Sequence, residues 1–273
     1  MACVATGRRR ILAITHGFHG RTAAAAAVTW NADKWYGFPA KPFDVEFIPR
    51  DDCDRAAAMI SDEIAAVIVE PVQGLAGAYD LSAEFLRVLH AQCALHGALL
   101  IADEVQSGIG RCGHFFAVQA HGIEPDIITV AKALGGGIPC GAVLCSKEMA
   151  ARFGPGDLGT TFGGGPVAAA AMIAVIGAIR DDQLLGNVRA REIQIREQCV
   201  VGPVRKIQGM GLLLGLVCDR PAVEVRNVLL EHDILAGTSA DPHVLRILAP
   251  LILEARHVDH LAAALSSLAP ATY

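Results

Sequence analysis

The chain has 273 residues, of which 53% are apolar and 28 are glycine, and its formal net charge is −5. A chain of this length can bury a large core and fits one large domain, or a large and a small one. The acidic balance gives no reason to expect binding to nucleic acid or to an anionic membrane. The longest apolar stretch, 167–179, is too short to span a bilayer and is interpreted as a buried helix.

Cysteine usage bears on compartment and on metal binding. The eight cysteines are scattered, with no Cys-x-x-Cys pair and no cysteine–histidine spacing suited to zinc. Residues 1–5 are not followed by a long apolar core with a small-residue cleavage site, so no secretory signal peptide is expected. These features predict reduced thiols, no metal site and a cytoplasmic location.

Short apolar runs alternate with helical stretches along the first part of the chain. Strands are predicted over 11–14, 45–48, 65–69, 98–102, 127–131 and 142–145. Helices are predicted over 23–27, 83–96 and 166–179. The helix over 83–96 carries apolar residues at helical spacing and stops at Gly97. This alternation favours an α/β fold with a mostly parallel sheet and right-handed crossovers.

The pattern changes after residue 187. A charged helix (189–198), a hairpin of antiparallel strands (204–209 and 212–218), a helix (222–231), a strand (244–248) and a closing helix (257–268) are predicted in that order. They describe a small α+β module. The sequence therefore predicts a large domain over 1–186 and a small C-terminal domain over 187–273.

Two polar residues follow strand-like runs directly. Asp103 follows the run at 98–102, and Lys132 follows the run at 127–131. Because parallel α/β sheets bind ligands at the carboxyl ends of their strands, we expect this carboxylate and this amine to face one crevice. A lysine that forms a Schiff base, together with an acid that keeps a pyridine nitrogen protonated, is what pyridoxal phosphate (PLP) chemistry requires.

Six ordered motifs, spread over essentially the whole chain, make the pattern specific. They are His16-Gly-Phe-His-Gly-Arg-Thr22, Glu70-Pro-Val-Gln-Gly74, Asp103-Glu-Val-Gln-Ser-Gly108, Ala131-Lys-Ala-Leu-Gly-Gly-Gly137, Gly159-Thr-Thr-Phe-Gly-Gly164 and Leu245-Arg246. In this order they resemble the class III, ornithine-aminotransferase-like PLP enzymes, and within that family most of all the bacterial acetylornithine aminotransferases. The resemblance implies PLP fold type I. It also implies amino-group transfer from the δ-amino donor N2-acetylornithine to 2-oxoglutarate, in arginine biosynthesis.

The resemblance implies a role for each cofactor-binding residue. Lys132 would carry the cofactor covalently and move the proton at the substrate carbon, and Asp103 would pair with the pyridine nitrogen. Gln106 resembles the residue that hydrogen-bonds the cofactor's phenolic oxygen, and Phe18 the aromatic residue that stacks on the ring. Thr161 resembles a phosphate ligand supplied by the neighbouring subunit, which implies a homodimer with a shared active site.

Substrate recognition is assigned in the same way. Arg246 resembles the residue that binds the substrate's C1 carboxylate in a forked geometry, and Arg21 the one that holds the distal carboxylate. Thr160 accompanies Thr161 toward the substrate of the partner subunit. His16 and His19 receive no task beyond packing and orientation.

Two departures from the family pattern bear on activity. Family members have a long N-terminal part ahead of the point at which this sequence begins. The resemblance assigns the phosphate-cradling Ser-Gly-(Thr/Ala)-Glu-Ala loop to that part, so weak PLP binding by this chain alone is expected. In addition, Leu75 stands where the family has a glutamate that pairs with the arginine at position 246 when the donor brings no carboxylate there. The expectation is an impaired δ-amino half-reaction, with glutamate and 2-oxoglutarate still suited to the pocket.

Other functions remain open on the sequence. The donor can instead be ornithine, succinylornithine or 4-aminobutyrate. A different class of function is a truncated, catalytically impaired homologue that persists alone or pairs with an intact one.

Overall fold

A computed structural model of the chain describes residues 1–34, 37 and 40–268. The chain clusters into two compact units. The first unit comprises Met1–Pro71, Leu81–Ile109 and Val118–Gly177. The second comprises Val72–Asp80, Gly110–Ala117 and the chain from Ala178. The second unit thus begins nine residues ahead of 187 and takes in two earlier segments, and the predicted domain boundary stays a prediction.

The elements follow one another in chain order. The strands are β1 (Arg10–Ile14), β2 (Asp44–Ile48), β3 (Ile64–Val69), β4 (Val72–Gln73), β5 (Tyr79–Asp80), β6 (Leu99–Asp103), β7 (Ile127–Val130), β8 (Ala142–Cys145), β9 (Val204–Met210), β10 (Leu213–Cys218) and β11 (Val244–Ile247). The α-helices are α1 (Ala2–Thr6), α2 (Ala23–Ala27), α3 (Cys53–Met59), α4 (Ala83–His96), α5 (Lys147–Ala150), α6 (Pro166–Asp181), α7 (Leu184–Gln198), α8 (Ala222–Glu231) and α9 (Ala255–Ser267).

The first unit is built on a six-stranded sheet with the order β2-β1-β3-β6-β7-β8. Neighbouring strands are parallel from β2 to β7, and β8 runs antiparallel to β7. The predicted α/β fold with a mostly parallel sheet is therefore confirmed. Strands such as β3, with the sequence IAAVIV, are almost wholly buried, as expected for strands that helices cover on both faces.

Helix α4 shows how local sequence sets an element of this unit. The hydroxyl of Ser82 accepts a hydrogen bond from the Phe85 N–H at 3.2 Å and caps the start of the helix. Gly97, at φ 62°, ends it in the left-handed conformation that glycine adopts without strain. Phe85 and Leu89 are fully buried, and truncating Phe85 to alanine would cost about 3–5 kcal/mol.

The second unit contains a three-stranded antiparallel sheet with the order β11-β10-β9. The predicted hairpin is confirmed as β9 and β10, which pair from Met210 and Leu213 outward. Val188 and Ile195 of α7, Val225 of α8 and Leu265 of α9 form its core with the strands. Strands β4 and β5, which the sequence did not predict, make a short hairpin in the same unit.

Helix α6 is correctly predicted as a helix but wrongly predicted to be buried. Ile179 is its only buried residue, while Val167 and Ile173 are 69% and 73% exposed in the isolated chain. An apolar run signals removal from water without telling which surface covers it. Among the residues that the structure describes, no helix is long and apolar enough to cross a membrane.

Candidate active site

The acid and the amine singled out in the sequence follow neighbouring parallel strands. Asp103 is the last residue of β6 and is paired in register with Thr129 of β7. Lys132 follows two residues after the end of β7 at Val130. Both residues therefore lie at the carboxyl edge of the six-stranded sheet, the edge at which parallel sheets bind ligands.

Asp103 is held by three polar partners. Its Oδ2 lies 2.7 Å from His19 Nδ1, and its Oδ1 accepts hydrogen bonds from the Val105 N–H at 3.1 Å and the Thr129 hydroxyl at 3.2 Å. The residue is 5% exposed. A carboxylate offers about four acceptor positions, so one remains for a further donor.

His19 is a site residue that the sequence analysis missed, since it was given no task beyond orientation. Burial by itself lowers the pKa of His19, but the hydrogen bond to Asp103 and the negative charges of Asp103 and Glu70 raise that pKa above its ordinary value overall. The opposite ring nitrogen, Nε2, is buried without a hydrogen-bond partner. The residue lies in the loop after β1, and β3 separates β1 from β6, so no sequence spacing could reveal the contact.

Two backbone hydrogen bonds to buried side chains fix the loop that carries His19. The Phe18 N–H donates to Glu70 Oε1 at 2.7 Å, and the His19 N–H donates to the Thr29 hydroxyl at 2.9 Å. Glu70 and Thr29 are both buried. Phe18, which directly precedes His19 in this loop, is partly exposed. Arg21, two residues beyond His19, is exposed.

The turn after β6 presents Gln106. Its side-chain Oε1 is buried and has no hydrogen-bond partner. Because the amide can rotate by half a turn, either its oxygen or its NH₂ group can face the open position. A buried polar atom without a partner is costly in a finished core, so it marks a place where a ligand group fits.

Lys132 sits on strained backbone. Its φ is 46°, in the left-handed region that residues with a side chain seldom adopt, and such a conformation costs about 1–3 kcal/mol. A single 3₁₀ turn, Lys132–Gly135, begins there and ends at Gly136 with φ 57°. Strain of this kind persists only where the surroundings impose it, and it is concentrated at functional sites.

Thr160 and Thr161 belong to an exposed turn that precedes α6. The Gly163 N–H donates to the carbonyl of Thr160 at 3.2 Å and closes this turn. Thr160 also lines a cavity of about 700 Å³ beside β8, to which Thr129 and Val143 contribute as well. Among the described residues, no hydrogen bond joins Thr160 or Thr161 to Asp103 or Lys132, and the predicted roles of the two threonines stay predictions.

Arg246 lies in the second unit, on β11. Its Nε donates to the carbonyl of Thr238 at 2.8 Å, and its Nη1 donates to the carbonyl of Gly74 at 3.2 Å. No acidic side chain of the described residues forms an ion pair with it. Burial lowers the pKa of this guanidinium below its ordinary value. A half-buried cation held only by carbonyls retains donors for an anion such as a carboxylate.

Two curated relatives of the chain are acetylornithine aminotransferases. The chain is 42% identical over 252 residues to the acetylornithine aminotransferase of Corynebacterium efficiens, and the match covers 91% of this chain and 62% of that enzyme. It is 42% identical over 253 residues to the acetylornithine aminotransferase of Streptomyces coelicolor, covering 91% of this chain and 63% of that enzyme. The chain thus spans less than two thirds of the length of these relatives.

Solved structures of similar fold are also aminotransferases, and a family model covers nearly the whole chain. An ornithine aminotransferase from Toxoplasma gondii, with PLP at partial occupancy in its active site, matches with a TM-score of 0.89 at 25% identity, covering 97% of this chain and 69% of that one. The acetylornithine aminotransferase of Elizabethkingia anophelis matches with a TM-score of 0.84 at 26% identity, covering 97% and 70%. These likenesses confirm fold type I. Because the family model described as aminotransferase class-III matches residues 1–268, the chain belongs to the class III aminotransferases.

Proposed function

We propose that this chain carries out PLP-dependent transamination, with N2-acetylornithine as amino donor and 2-oxoglutarate as acceptor, as a step of arginine biosynthesis in the cytoplasm. The observation that carries the proposal is the common sheet edge of Asp103 and Lys132, at the ends of adjacent parallel strands. Membership of class III and the names of the relatives support the reaction type and the donor.

The residues at this edge fit the ring of the cofactor. Asp103 keeps one acceptor position for the protonated pyridine nitrogen, and Gln106 offers an amide whose buried Oε1 has no partner. Phe18, whose backbone N–H is held by Glu70 in the loop that carries His19, would supply a flat apolar face for the ring. PLP, when bound, supplies an electron sink for the negative charge that develops on the substrate carbon.

The chain's own residues would then divide the work. Lys132 would hold the cofactor through its Nζ, and the same amine would move the proton at the substrate carbon that bears the amino group. Asp103 would accept a hydrogen bond from the protonated ring nitrogen. His19, whose Nδ1 lies 2.7 Å from Asp103 Oδ2, would orient that carboxylate.

Substrate carboxylates would be taken up by arginines. We assign the C1 carboxylate to Arg246, which has unused donors, and the distal carboxylate to the exposed Arg21. Leu75 follows Gly74, whose carbonyl accepts from Arg246, and it brings no countercharge. Donors that present a carboxylate to Arg246, such as glutamate, are therefore favoured over acetylornithine, ornithine, succinylornithine or 4-aminobutyrate bound through their distal amine.

A homodimer with a shared active site is part of the proposal. The exposed apolar side chains Val167 and Ile173 of α6 lie close in sequence to Thr160 and Thr161. If a second copy of the chain covers this helix, the turn that carries the two threonines would therefore lie at the same interface. Light scattering after size exclusion should give a dimer. Ile173→Glu should shift it toward monomer, and a monomeric wild-type chain would contradict this part of the proposal.

Adding PLP to the purified protein tests the central claim. The expected result is a visible absorption band that is bleached by an amino donor. Borohydride should reduce the imine on Lys132 to a stable secondary amine, which peptide mass spectrometry locates. Lys132→Ala should show neither. A wild-type protein without the band, or an equal band in Lys132→Ala, would instead favour the second candidate: a catalytically impaired homologue that spans only 62–63% of its relatives' length.

A further inference from the structure

Glu104 is a buried carboxylate that the proposed reaction does not use. It directly follows Asp103, is 0% exposed, and lies in the turn that presents Gln106. Its Oε2 accepts a hydrogen bond from the Ser107 hydroxyl at 2.6 Å, and its Oε1 accepts one from the Val118 N–H at 2.9 Å. Ser107 is also 0% exposed. A buried carboxylate is stable only with partners of this kind.

The backbone N–H and carbonyl of Glu104 also form hydrogen bonds that hold this turn. The Glu104 N–H donates to the carbonyl of Thr129 at 2.9 Å, and the Glu104 carbonyl accepts from the Gly108 N–H at 3.0 Å. Gly108 comes so close that a Cβ there would lie 2.7 Å from this carbonyl. Side chain and backbone together thus fix both ends of the segment 104–108, in which Gln106 is the middle residue.

The hydrogen bonds of Glu104 bear on Gln106, whose side-chain amide is the group expected to meet a ligand. The buried Oε1 of Gln106 has no protein partner, so no bond of its own side-chain oxygen holds that amide in place. An amide that is to meet a ligand must be held by its backbone instead, since a side chain left to rotate loses affinity through its entropy. The bonds made by Glu104 fix that backbone.

We propose that Glu104, Ser107 and Val118 form a clamp, called here the Glu104 clamp, whose task is to position Gln106 for the cofactor. Glu104 is on this view a positioning residue that acts through its hydrogen bonds rather than through its negative charge. The inference rests on the proposed function for the identity of the ligand, but the clamp itself can be tested without any ligand.

Geometry and charge are separated by three substitutions. Glu104→Gln removes the charge but keeps both bonds, since its amide oxygen can accept from the Val118 N–H and its NH₂ group can donate to the Ser107 hydroxyl. Ser107→Ala keeps the charge but removes one bond. Glu104→Ala removes both bonds and, should it fail to fold, leaves the comparison to the first two variants.

Absorption titration with PLP is the first measurement. Glu104→Gln should bind PLP within about twofold of wild type, whereas Ser107→Ala should bind roughly tenfold more weakly, as expected for the loss of one charge-assisted hydrogen bond. The visible band should shift in Ser107→Ala but not in Glu104→Gln. If Glu104→Gln binds as weakly as Glu104→Ala, or if Ser107→Ala binds like wild type, the proposal is overturned.

Solvent exchange of the Gln106 side-chain amide, followed by NMR without cofactor, is the second measurement. Exchange should be faster in Ser107→Ala and unchanged in Glu104→Gln. Asp126→Ala is the matched control, because Asp126 Oδ2 accepts the Leu100 N–H at 2.8 Å near the other end of β6. This variant should lose stability without altering the Gln106 signal. A wild-type chain that does not bind PLP would refute the proposed function, and the clamp would then be upheld by faster exchange in Ser107→Ala and refuted by unchanged exchange.

Discussion

Asp103 and Arg246 are both charged, both withdrawn from water and both assigned to ligand recognition, yet their surroundings differ. Asp103, at the edge of the six-stranded sheet, is paired with His19 and accepts two further hydrogen bonds. Among the described residues, the side chain of Arg246, on the three-stranded sheet, has only the carbonyls of Thr238 and Gly74 as partners. The acid is therefore held by three polar partners and has one acceptor position left, whereas the guanidinium keeps several donors for a ligand.

The two environments have opposite consequences for binding. Three fixed partners orient Asp103 in advance, so a cationic ring nitrogen meets a carboxylate that does not need to move. Burial lowers the pKa of Arg246, and an anion that binds there reverses this shift by favouring the charged form. Ligand binding should thus reorganise little around Asp103 and change the electrostatics most around Arg246.

Removing the charge of Asp103 should have the largest effect. Asp103→Asn keeps the shape of the side chain but no longer stabilises a protonated ring nitrogen. A charged hydrogen bond contributes about 1.5–3 kcal/mol, so single-turnover rates with glutamate should fall roughly 10- to 150-fold. The spectrum should also shift, since the ring nitrogen loses its proton.

Asp126→Asn makes the same chemical change near the opposite end of β6, where Asp126 accepts the Leu100 N–H. This variant should turn over at the wild-type rate. If both variants were equally slow, or if Asp103→Asn kept the wild-type rate, the claim that the charge of Asp103 stabilises the ring nitrogen would be refuted.

Replacing Arg246 by lysine should have the next largest effect. Lysine keeps the charge but loses the planar fork that grips a carboxylate with two bonds, so the Kd for 2-oxoglutarate should rise about tenfold. Arg205→Lys is a matched control, since Arg205 lies on the same three-stranded sheet and pairs with Asp219. Calorimetry that gives the two variants the same Kd would refute a carboxylate site at Arg246.

A glutamate at position 75 should close the open environment of Arg246. The carbonyl of Gly74, the preceding residue, already accepts from Arg246, so a carboxylate at 75 lies within reach of the guanidinium. In Leu75→Glu, the half-reaction rate with acetylornithine divided by the rate with glutamate should rise roughly five- to tenfold. This is the range expected for an ion pair that is exposed to partly buried.

Leu75→Gln is the control, because it has the shape of glutamate without the charge and should leave that ratio unchanged. In the wild-type chain, acetylornithine should convert the cofactor more slowly than glutamate does. Equal rates for these two donors in the wild type would show that the missing countercharge at position 75 does not matter.

Elements with a strong local signal were predictable from the sequence. The run at 83–96 has a serine cap, apolar residues at helical spacing and a terminal glycine, and it forms α4 with the predicted bounds. The strands that precede Asp103 and Lys132 were also predicted to within a residue, because buried parallel strands are short apolar runs. The shared sheet edge followed from a general property of parallel sheets.

Features that depend on strand order were not predictable. His19 reaches Asp103 from a loop 84 residues earlier in the chain, across the intervening strand β3. The clamp at Glu104 depends on Val118, which approaches from a separate turn. The prediction that helix α6 is buried was wrong for a different reason. Its apolar composition indicates burial, but a sequence does not tell whether the same chain or another chain covers the helix.

The His19–Asp103 pair gives the smallest and most specific prediction, a pH dependence of stability. The pKa of His19 in the folded chain lies above its ordinary value of 6.5, so the folded state binds this proton more tightly than the unfolded state does. The resulting stabilisation is fully present below about pH 6.5 and is lost as the pH rises through the folded pKa. The Tm of the wild type should therefore fall as the pH is raised from 6 toward 8.

His19→Asn should flatten this dependence because asparagine does not titrate. The comparison with His96→Asn makes the test sharper, since His96 makes the same 2.7 Å contact to an aspartate, Asp62, at the surface. Solvent screens that exposed pair, so its removal should leave the slope of Tm against pH nearly unchanged. Equal slopes in wild type and His19→Asn would mean that the buried imidazole does not hold its proton more tightly in the folded chain than in the unfolded chain.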